Sequence, residues 1–450
     1  MGRVYAENWG RRVERRPDTV ASVTPDRPDP YQAWSAPARL GFRVAFAGFV
    51  LRAILPTPVA DLLVRGLARA LGIVLVYRAN GSGDTTYNYL LVLALALLAV
   101  LVAGIWTALD RERQAYPRLG EGLIVGIRYF LGVTMLGYGL AKLFVAQFPT
   151  PTLETLVRSI GSAPPTGLMW TFMGHSRAYA AFAGLLELAA AGLLLFRRTT
   201  TLGALLTAGV MANVVLMNLC FDVPVKLLSS YLLALAGVLI ALDHRRLLAF
   251  ARGRAVPAVE YPPHFASPKH RRIAAGAKLA VLLAALGLYL WVSVGGHQAF
   301  GPDRPRSPYY GVYQVEALRE DGRERPGVIT DAQRWRYLVF DRPGYVSVFR
   351  MDGSLVRYAA EIDPGSGPEA GTITIASEPM PPFGDFIYLD PPVREPPERH
   401  TWRVWASEGR LEISGEFDGR ALALTAVAQP LEFPLTSTGF HWVQELPNNL

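Results

Sequence analysis

The sequence predicts a multi-span α-helical membrane bundle of about seven transmembrane helices, followed by a C-terminal all-β antiparallel barrel or sandwich domain. Hydrophobic residues make up 51% of the 450 residues, and they form several runs that can each cross about 30 Å of hydrocarbon. Lysine and arginine gather at the ends of these runs, as the bias of membrane insertion predicts. Beyond residue 296, short alternating runs with proline and charged residues replace the long apolar ones, which indicates strands.

The N-terminal region, residues 1–39, is polar and rich in arginine and proline, and we expect a cytoplasmic tail. No short apolar core with a small-residue cleavage site follows directly, so a cleaved signal peptide is not predicted. The first span covers residues 40–55 and ends at Pro56 and Pro58.

The next segment, residues 59–77, is ambiguous between a span and a surface helix. Its apolar stripe lies opposite Asp61, Arg65 and Arg69, which suits a helix lying in the interface better than one that crosses the membrane. The glycine-rich segment at 79–89 follows. It is interpreted either as a capped re-entry into the membrane or as a ligand-contacting loop.

Six further apolar runs complete the predicted bundle. They lie at residues 89–109, 122–146, 178–196, 202–220, 226–242 and 274–295. The basic residues of alternate loops fall on the side of the N-terminus, which predicts a multi-pass protein of the bacterial inner (plasma) membrane with its N-terminus inside and its C-terminal domain outside. The predicted domains are a tail at 1–39, a helical domain at 40–250, a basic cytoplasmic linker at 251–273, a last helix at 274–295 and an extracytoplasmic β domain at 296–450.

The charge and the metal-binding residue types argue against several functions. The formal net charge of +8 is accounted for by the insertion bias, and no aromatic and basic groove motif accompanies it, so nucleic-acid binding is not expected. The single cysteine, Cys220, excludes an intramolecular disulfide and a multi-cysteine metal site. The seven histidines include no pair at helical spacing inside one span, so neither a haem nor another metal site is predicted.

The strongest functional signal is an acidic residue in the middle of a predicted span. An ionisable group in hydrocarbon costs about 2.5–3.5 kcal/mol on insertion scales, and the side chain of Glu187 is too short to reach the interface. We therefore expect Glu187 to face a water-filled cavity or to be paired with Lys142, Arg128 or Lys226; otherwise it should be neutral.

The span at 122–146 carries a polar face that can turn toward the bundle interior. At 100° per residue, Arg128, Thr134, Tyr138 and Lys142 lie within about a third of the helix circumference. Arg128 and Lys142 lie near opposite ends of the span, so either side chain could also reach the interface.

Several polar and aromatic residues should lie at similar depth near the outer surface. They form either a hydrogen-bonded plug between helices or a pocket for an amphipathic ligand such as a quinone or a lipid headgroup. In the second interpretation a carboxylate and a lysine move protons. The candidate catalytic residues are Glu187, Lys142, Asp222 and Lys226, and the candidate ligand-binding residues are Tyr138, Trp170, His175, Asn213, Asn218 and Arg128. Met169, Met173, Met211 and Met217 are interpreted as core residues and not as a copper site.

The C-terminal domain reads as an antiparallel meander. Its candidate strands are RWRYLVF, YVSVFR, SLVRYAAEI, GTITIAS, DFIYL, TWRVWA, RLEISGEF and RALALTAV. The pairs Asp352-Gly353 and Asp418-Gly419 lie between alternating runs, which is a strong hairpin signal.

Several segments resemble the DoxX-like family of bacterial membrane proteins. They are NGSGDTTYNY at 80–89, YGLAKLFVAQFPTP at 138–151, WTFMGHSRAY at 170–179, FRRTTTLGALL at 196–206, NVVLMNLCFDVPVKLLS at 213–229 and GFHWVQELP at 439–447. The resemblance covers about residues 40–250, and the β domain only through its last residues. It implies that Lys142, Glu187, Asn213, Asn218, Asp222 and Lys226 belong to the family pattern.

The same resemblance implies a quinone-linked or other redox-associated membrane subunit, because the broad family is associated with the small subunit of thiosulfate:quinone oxidoreductase and with other redox-linked complexes. Its expected partners are membrane lipid, a quinone and a periplasmic protein. Two alternatives stay open. One is a noncatalytic scaffold that recruits a periplasmic partner through the β domain. The other is a carboxylase-like or lipid-modifying enzyme, suggested by a more distant similarity to the membrane domain of vitamin K-dependent carboxylases.

Overall fold

The computed structural model describes residues 34–75, 82–256, 267–365, 371–380 and 398–445. Within these residues, long apolar helices form a bundle and the C-terminal strands form a closed antiparallel barrel, which confirms the predicted fold class. Most of the predicted tail, the middle of the basic linker and the candidate strand DFIYL lie outside the described residues.

Five of the described helices are long and apolar enough to cross a membrane, and up to seven crossings result if each of two bent helix pairs is one span. The five are α3 (Thr86–Leu109), α4 (Pro117–Leu143), α7 (Arg177–Leu195), α8 (Thr200–Cys220, with the preceding turn Arg197–Thr199) and α11 (Pro268–Phe300). The bent pairs are α1 (Ala36–Ile54) with α2 (Thr57–Ala70), and α9 (Lys226–Leu242) with α10 (His244–Ala251). The short helices are α5 (Leu153–Val157), α6 (Pro165–His175) and α12 (Pro434–Ser437).

Proline sets the first bend of the chain. Pro56 follows the end of α1 and precedes α2, and the two helix axes differ by 117°. The helix α2 buries Ala60, Val64 and Ala68, of which Val64 and Ala68 pack in one cluster with Leu90 of α3. The amphipathic segment therefore does not continue the first helix.

The helices of the bundle alternate in direction, and this defines its two ends. At one end the C-terminal turns of α4 and α11 meet, where Nδ1 of His297 lies 3.0 Å from the carbonyl oxygen of Phe144. The β domain follows α11, so we name this the β-domain end. At the opposite end the start of α1 meets the end of α3, where the guanidinium of Arg43 donates to Oγ1 of Thr107 at 2.7 Å and to the carbonyl of Asp110 at 2.8 Å.

The barrel is one continuous antiparallel sheet in the described residues. Its strands are β1 (Gly311–Glu320), β3 (Trp335–Phe340), β4 (Tyr345–Arg350), β5 (Leu355–Asp363), β6 (Gly371–Pro379), β7 (Arg399–Ser407), β8 (Arg410–Phe417) and β9 (Arg420–Ala428), and β2 (Arg323–Glu324) pairs only with the end of β1. The strands follow this order around the barrel, and pairing of β1 with β9 closes it. Every candidate run within the described residues is a strand, β3 to β9, whereas β1 and the short β2 were not predicted.

Both predicted Asp-Gly pairs form hairpin turns. Asp418 and Gly419 have φ angles of 51° and 72°, and both positive values belong to the turn type that matches the twist of paired strands. Gly353 has a φ of 81° between β4 and β5. The core between the strands contains tryptophan, and the rings of Trp335 and Trp402 lie 5.8 Å apart.

The barrel rests on the loop between α4 and α7. Leu153 of α5 packs in one cluster with Val312, Val339 and Phe349 of the barrel. The next residue, Glu154, is 3% exposed and accepts from Nη2 of Arg357 at 2.6 Å. It also accepts a short hydrogen bond from the hydroxyl of Ser347, a buried residue of β4. An apolar contact and a buried ion pair thus fix the β domain to the helical domain.

Candidate functional site

The site begins with a close crossing of α4 and α7. A Cβ atom added to Gly139 would lie 2.8 Å from the carbonyl oxygen of Gly184, and one added to Gly184 would lie 2.8 Å from the carbonyl oxygen of Gly139. Only glycine permits this approach of the two backbones. Because Lys142 and Glu187 follow these glycines by about one turn each, the crossing brings their side chains together.

Lys142 and Glu187 form a buried ion pair. The ammonium nitrogen of Lys142 lies 2.8 Å from both carboxylate oxygens of Glu187, and the two side chains are 7% and 3% exposed. The rings of Tyr138 and Phe148 have their centroids 5.4 Å and 5.8 Å from this nitrogen. An isolated charge would be costly here, so each group depends on the other to stay ionised. Of the three partners considered for Glu187, the structure therefore selects Lys142.

A cavity of about 430 Å³ lies beside the ion pair, and we name it the ligand cavity. It is bounded by the end of α4, by α6, α7 and α8, and by the start of α9. Most of its wall is apolar or aromatic, with Phe148, Trp170, Phe182, Met169, Met173, Met211 and Met217 among the lining residues. Its polar groups are Lys142, Glu187, Tyr138, Gln147, Asn213, Asn218 and Ser229. The four methionines thus line the cavity, where their flexible side chains can adapt to a ligand.

The ligand cavity opens sideways between two transmembrane helices. Tyr179 and Phe182 of α7 line it and are 47% and 57% exposed. On α8, the lining residues Leu205, Gly209 and Asn213 are also exposed. Phe182, Leu205 and Gly209 lie along these two spans and not at the bundle ends.

Six of the predicted site residues meet at this cavity. They are Lys142, Glu187, Tyr138, Trp170, Asn213 and Asn218. Asn218 has a structural bond as well, since its side-chain amide donates to the hydroxyl of Ser229 at 3.0 Å and thereby joins α8 to α9.

The remaining four predicted residues, Arg128, His175, Asp222 and Lys226, do not line the ligand cavity. Arg128 lies at the opposite end of the bundle, where its guanidinium donates twice to the carbonyl of Leu194, at 3.0 and 3.1 Å. His175 is exposed at the last residue of α6. Asp222 has a φ of 52°, and this turn leaves its side chain 83% exposed and bound to Lys226 at 2.8 Å.

Asp84 connects the glycine-rich loop before α3 to the start of α9. Its two carboxylate oxygens accept from the backbone N–H groups of Lys226 and Leu227 at 2.7 and 2.9 Å, so it caps the start of α9 from a distant part of the chain. The backbone N–H of Gly83 also donates to the carbonyl of Pro224 at 2.8 Å. In its described part, the loop therefore joins helices and does not reach the ligand cavity.

Gln147 is a lining residue that sequence reasoning missed. Its side-chain oxygen is buried and has no hydrogen-bond partner among the described residues. A buried acceptor without a donor is costly, and a ligand that carries a hydroxyl or an amine would satisfy it. The sequence signal was a polar residue just beyond Lys142, at the end of an apolar run.

Within the described ranges, no group of three or more histidine, cysteine, aspartate or glutamate side chains is placed to hold a metal ion. The one cysteine, Cys220, is exposed at the end of α8.

The chain is similar to a bacterial protein. Over 127 residues it is 39% identical to the uncharacterized protein YwoB of Bacillus subtilis (strain 168), and the match covers 28% of this chain and 79% of that relative. No protein-family model matches the chain, and no solved structure matches it. The relative's name records no activity, so the similarity establishes kinship alone.

Proposed function

We propose that this chain, which belongs to the family of the uncharacterized Bacillus subtilis protein YwoB, is a DoxX-like membrane subunit that binds a quinone-like lipid-soluble ligand in the ligand cavity. One observation carries the proposal: an opening along the transmembrane helices α7 and α8 leads to a buried ion pair. An ionic group at that depth is expensive, and such groups commonly mark a substrate or proton path.

The chemistry of the wall fits a ring with polar substituents. The ammonium of Lys142 can donate to a quinone carbonyl, while Glu187 and the side-chain oxygen of Gln147 can accept from the hydroxyls of the reduced form. Phe148 and Trp170, whose rings lie 5.3 Å apart, provide aromatic surface for the ring itself. The volume of about 430 Å³ lies in the usual range for small-molecule sites.

The proposed role in a redox-linked complex concerns binding and proton transfer. Reduction of a quinone to a quinol consumes two electrons and two protons. Lys142 and Glu187 can hold or pass a proton at the ring oxygens, whereas the electrons would come from a partner protein outside the bundle. We therefore assign this chain the ligand-binding part of such a complex and assign electron transfer to its partner.

Quinone binding can be tested directly on the purified full chain. We expect a ubiquinone or menaquinone analogue to bind, and the double variant Lys142→Met with Glu187→Leu to bind at least about tenfold more weakly because no charged group remains at the ring oxygens. Asp222→Asn is the matched control, since Asp222 is charged but lies outside the cavity. Equal binding by the wild type and the double variant would favour the scaffold alternative.

A second variant tests the sideways opening. A Cβ atom added to Gly209 meets nothing within 4 Å, so Gly209→Phe should fold normally while its ring obstructs the opening. We expect slower and weaker uptake of the analogue from detergent micelles. Gly237→Phe is the control, because Gly237 is likewise exposed and uncrowded but lies on α9 away from the cavity. Loss of uptake in both variants would point to a general disturbance of the bundle.

We also propose an inner-membrane location with the N-terminus inside and the β domain outside. Arg111, Arg113, Arg197 and Arg198 all lie in loops at the end of the bundle opposite the β domain. The positive-inside bias assigns that end to the cytoplasm. A single cysteine introduced at Ser407, an exposed residue of β7, in a Cys220→Ser background, should react with an impermeant thiol reagent in intact spheroplasts. Labelling that requires lysis would reverse the orientation.

A further inference from the structure

A second cavity of about 160 Å³ lies at the end of the bundle opposite the β domain. It is formed by the start of α4, the turn between α7 and α8, and the junction of α9 with α10. Its lining residues are Glu121, Ile124, Val125, Arg128, Arg197, Thr200, Thr201, Leu239, Leu242, Asp243 and Arg246. We name it the arginine cavity, because it contains three arginines, from three different parts of the chain.

The charges of the arginine cavity leave an excess of positive charge. Three guanidinium groups face two carboxylates among its lining residues. The carboxylate of Asp243 accepts from Arg246 at 2.8 and 3.1 Å and from the hydroxyl of Thr201 at 2.6 Å, so it is already satisfied. Glu121 lies 4.0 Å from Arg197 and is about half exposed. An anion therefore fits this site better than a neutral or cationic ligand.

One donor in the arginine cavity lacks an acceptor. The Nε atom of Arg246 is buried, and it has no hydrogen-bond partner among the described residues, although the Nη1 atom of the same guanidinium binds Asp243. A buried N–H without an acceptor is unfavourable, and a guanidinium presents its N–H groups in a planar fork. A phosphate oxygen is a suitable acceptor for such a fork.

The surroundings of the arginine cavity suit a lipid. Ile124, Val125, Leu239 and Leu242 supply apolar wall next to the charged groups. The helix α10 turns 71° away from α9 and exposes Phe250 beside its basic residues, which is typical of a helix lying in the membrane interface. The cavity is thus placed at headgroup depth, with an apolar side for acyl chains and a cationic side for phosphate.

From these observations we propose that the arginine cavity binds the phosphate headgroup of an anionic phospholipid. Arg246 and Arg197 contact the phosphate oxygens, and Arg128 adds positive charge from the cavity wall. The bound lipid joins α4, the turn between α7 and α8, and α10 at one end of the bundle. This site is independent of the ligand cavity, which lies toward the β-domain end.

Native mass spectrometry of the purified full chain in lipid-free detergent tests the proposal. We expect added phosphatidylglycerol to be retained at least about tenfold more tightly than phosphatidylcholine. Arg197→Gln and Arg246→Lys should each weaken phosphatidylglycerol binding by about fivefold or more. Arg246→Lys keeps the positive charge that pairs with Asp243, so it separates loss of the Nε donor from misfolding. Arg245→Gln, an exposed change in the same helix, should bind like the wild type.

Two results would overturn the assignment. Equal retention of both lipids, with no effect of Arg197→Gln or Arg246→Lys, would exclude a specific headgroup site. Binding of millimolar inorganic phosphate with the same dependence on both arginines, without retention of phosphatidylglycerol, would identify free phosphate as the ligand and exclude the lipid. Thermal unfolding of each variant, measured in parallel, shows that the protein under test is folded.

Discussion

In the Lys142–Glu187 pair, the energetic cost of each buried charge depends on the presence of the other. Its charges lie 2.8 Å apart and are nearly free of solvent. Removing one partner leaves an uncompensated buried charge, which costs about 3–5 kcal/mol, whereas replacing both by apolar side chains of similar size is often neutral or stabilising. We therefore expect Lys142→Met or Glu187→Leu alone to destabilise the protein, and the double variant to recover most of the loss.

Thermal or denaturant unfolding in detergent measures this pattern. If the pair serves ligand binding, the double variant should be stable and yet fail to bind the quinone analogue. If both single variants are as stable as the wild type, water or another group replaces the missing partner, and the pair is less isolated than its burial indicates.

The Arg325–Asp331 pair should make the stability of the β domain depend on pH. The guanidinium of Arg325 donates to both carboxylate oxygens of Asp331, one at 2.7 Å, and this hydrogen bonding lowers the pKa of Asp331 from its ordinary value. A carboxylate with a lowered folded-state pKa adds stability above its unfolded pKa of about 4, and the stability is lost as pH falls through the folded pKa. Since the pair is about a quarter exposed, its contribution should be about 1 kcal/mol or less.

The measurement is the difference in unfolding free energy between wild type and Asp331→Asn from pH 7 to pH 3. The difference should be largest at pH 7 and shrink toward zero at acid pH. The control is Glu412→Gln, because Glu412 lies on the same barrel with its side chain 62% exposed. A difference that grows on acidification would contradict the assigned direction.

At the scale of secondary-structure elements, the crossing of α4 and α7 sets the geometry of the site. A Cβ atom at Gly184 would lie 2.8 Å from the carbonyl of Gly139 and 3.0 Å from the Cβ atom of Lys142. Gly184→Ala should therefore push the helices apart, with a cost of about 1–3 kcal/mol. The ion pair should lengthen, and binding of the quinone analogue should fall.

Gly192→Ala provides a matched control on the same helix, because its added Cβ atom meets nothing within 4 Å. Alanine is a better helix former than glycine, so this variant should be as stable as the wild type or slightly more stable. Unfolding and analogue binding, measured for both variants, separate the effect of crowding at the crossing from a general effect of helix propensity. A stable Gly184→Ala protein with wild-type binding would show that the crossing tolerates wider spacing.

The elements were largely predictable from sequence, and the exceptions have physical causes. Spans and most strands follow from apolar length and alternation, but β1 contains a bulge between Val315 and Ala317 where it pairs with β9. The bulge separates the buried residues Val315 and Leu318 by three positions and so breaks the alternation that identifies strands. The strand that closes the barrel was missed for this reason.

The positions of the site residues along their spans were predictable from sequence, but the directions of their side chains were not. The cost of burying Glu187 pointed correctly to an interior partner, because that argument depends only on position along the span. The positive φ that turns the side chain of Asp222 outward was not predictable from the local sequence. Gln147 escaped notice because its importance arises from a neighbourhood that only tertiary packing creates.

One loop both supports the barrel and forms part of the wall of the ligand cavity. This loop runs from α4 to α7. It carries Phe148 and Trp170, which line the cavity, and Glu154, which binds the barrel through Arg357. Leu153 packs on the barrel beside it. Movement of the barrel relative to the bundle would therefore shift the aromatic wall, so a partner that binds the β domain could alter ligand affinity.

Breaking and restoring the Glu154–Arg357 pair tests this connection. Glu154→Gln should lose the buried charge partner of Arg357, increase hydrogen exchange in the loop between α4 and α7, and weaken binding of the quinone analogue by several-fold. The charge-swapped variant, Glu154→Arg with Arg357→Glu, should recover part of both effects if pairing is the cause. Glu412→Gln again serves as the exposed control.

Hydrogen exchange and analogue binding together distinguish coupling between the barrel and the cavity from a local loosening of the loop. Faster exchange in the loop together with weaker binding means that the barrel holds the aromatic wall in place. Faster exchange with unchanged binding means that the Glu154–Arg357 pair stabilises the β domain alone. The shape of the cavity is then determined entirely within the helical bundle. The second result would confine ligand recognition to the crossing of α4 and α7 and leave the barrel as a separate binding module.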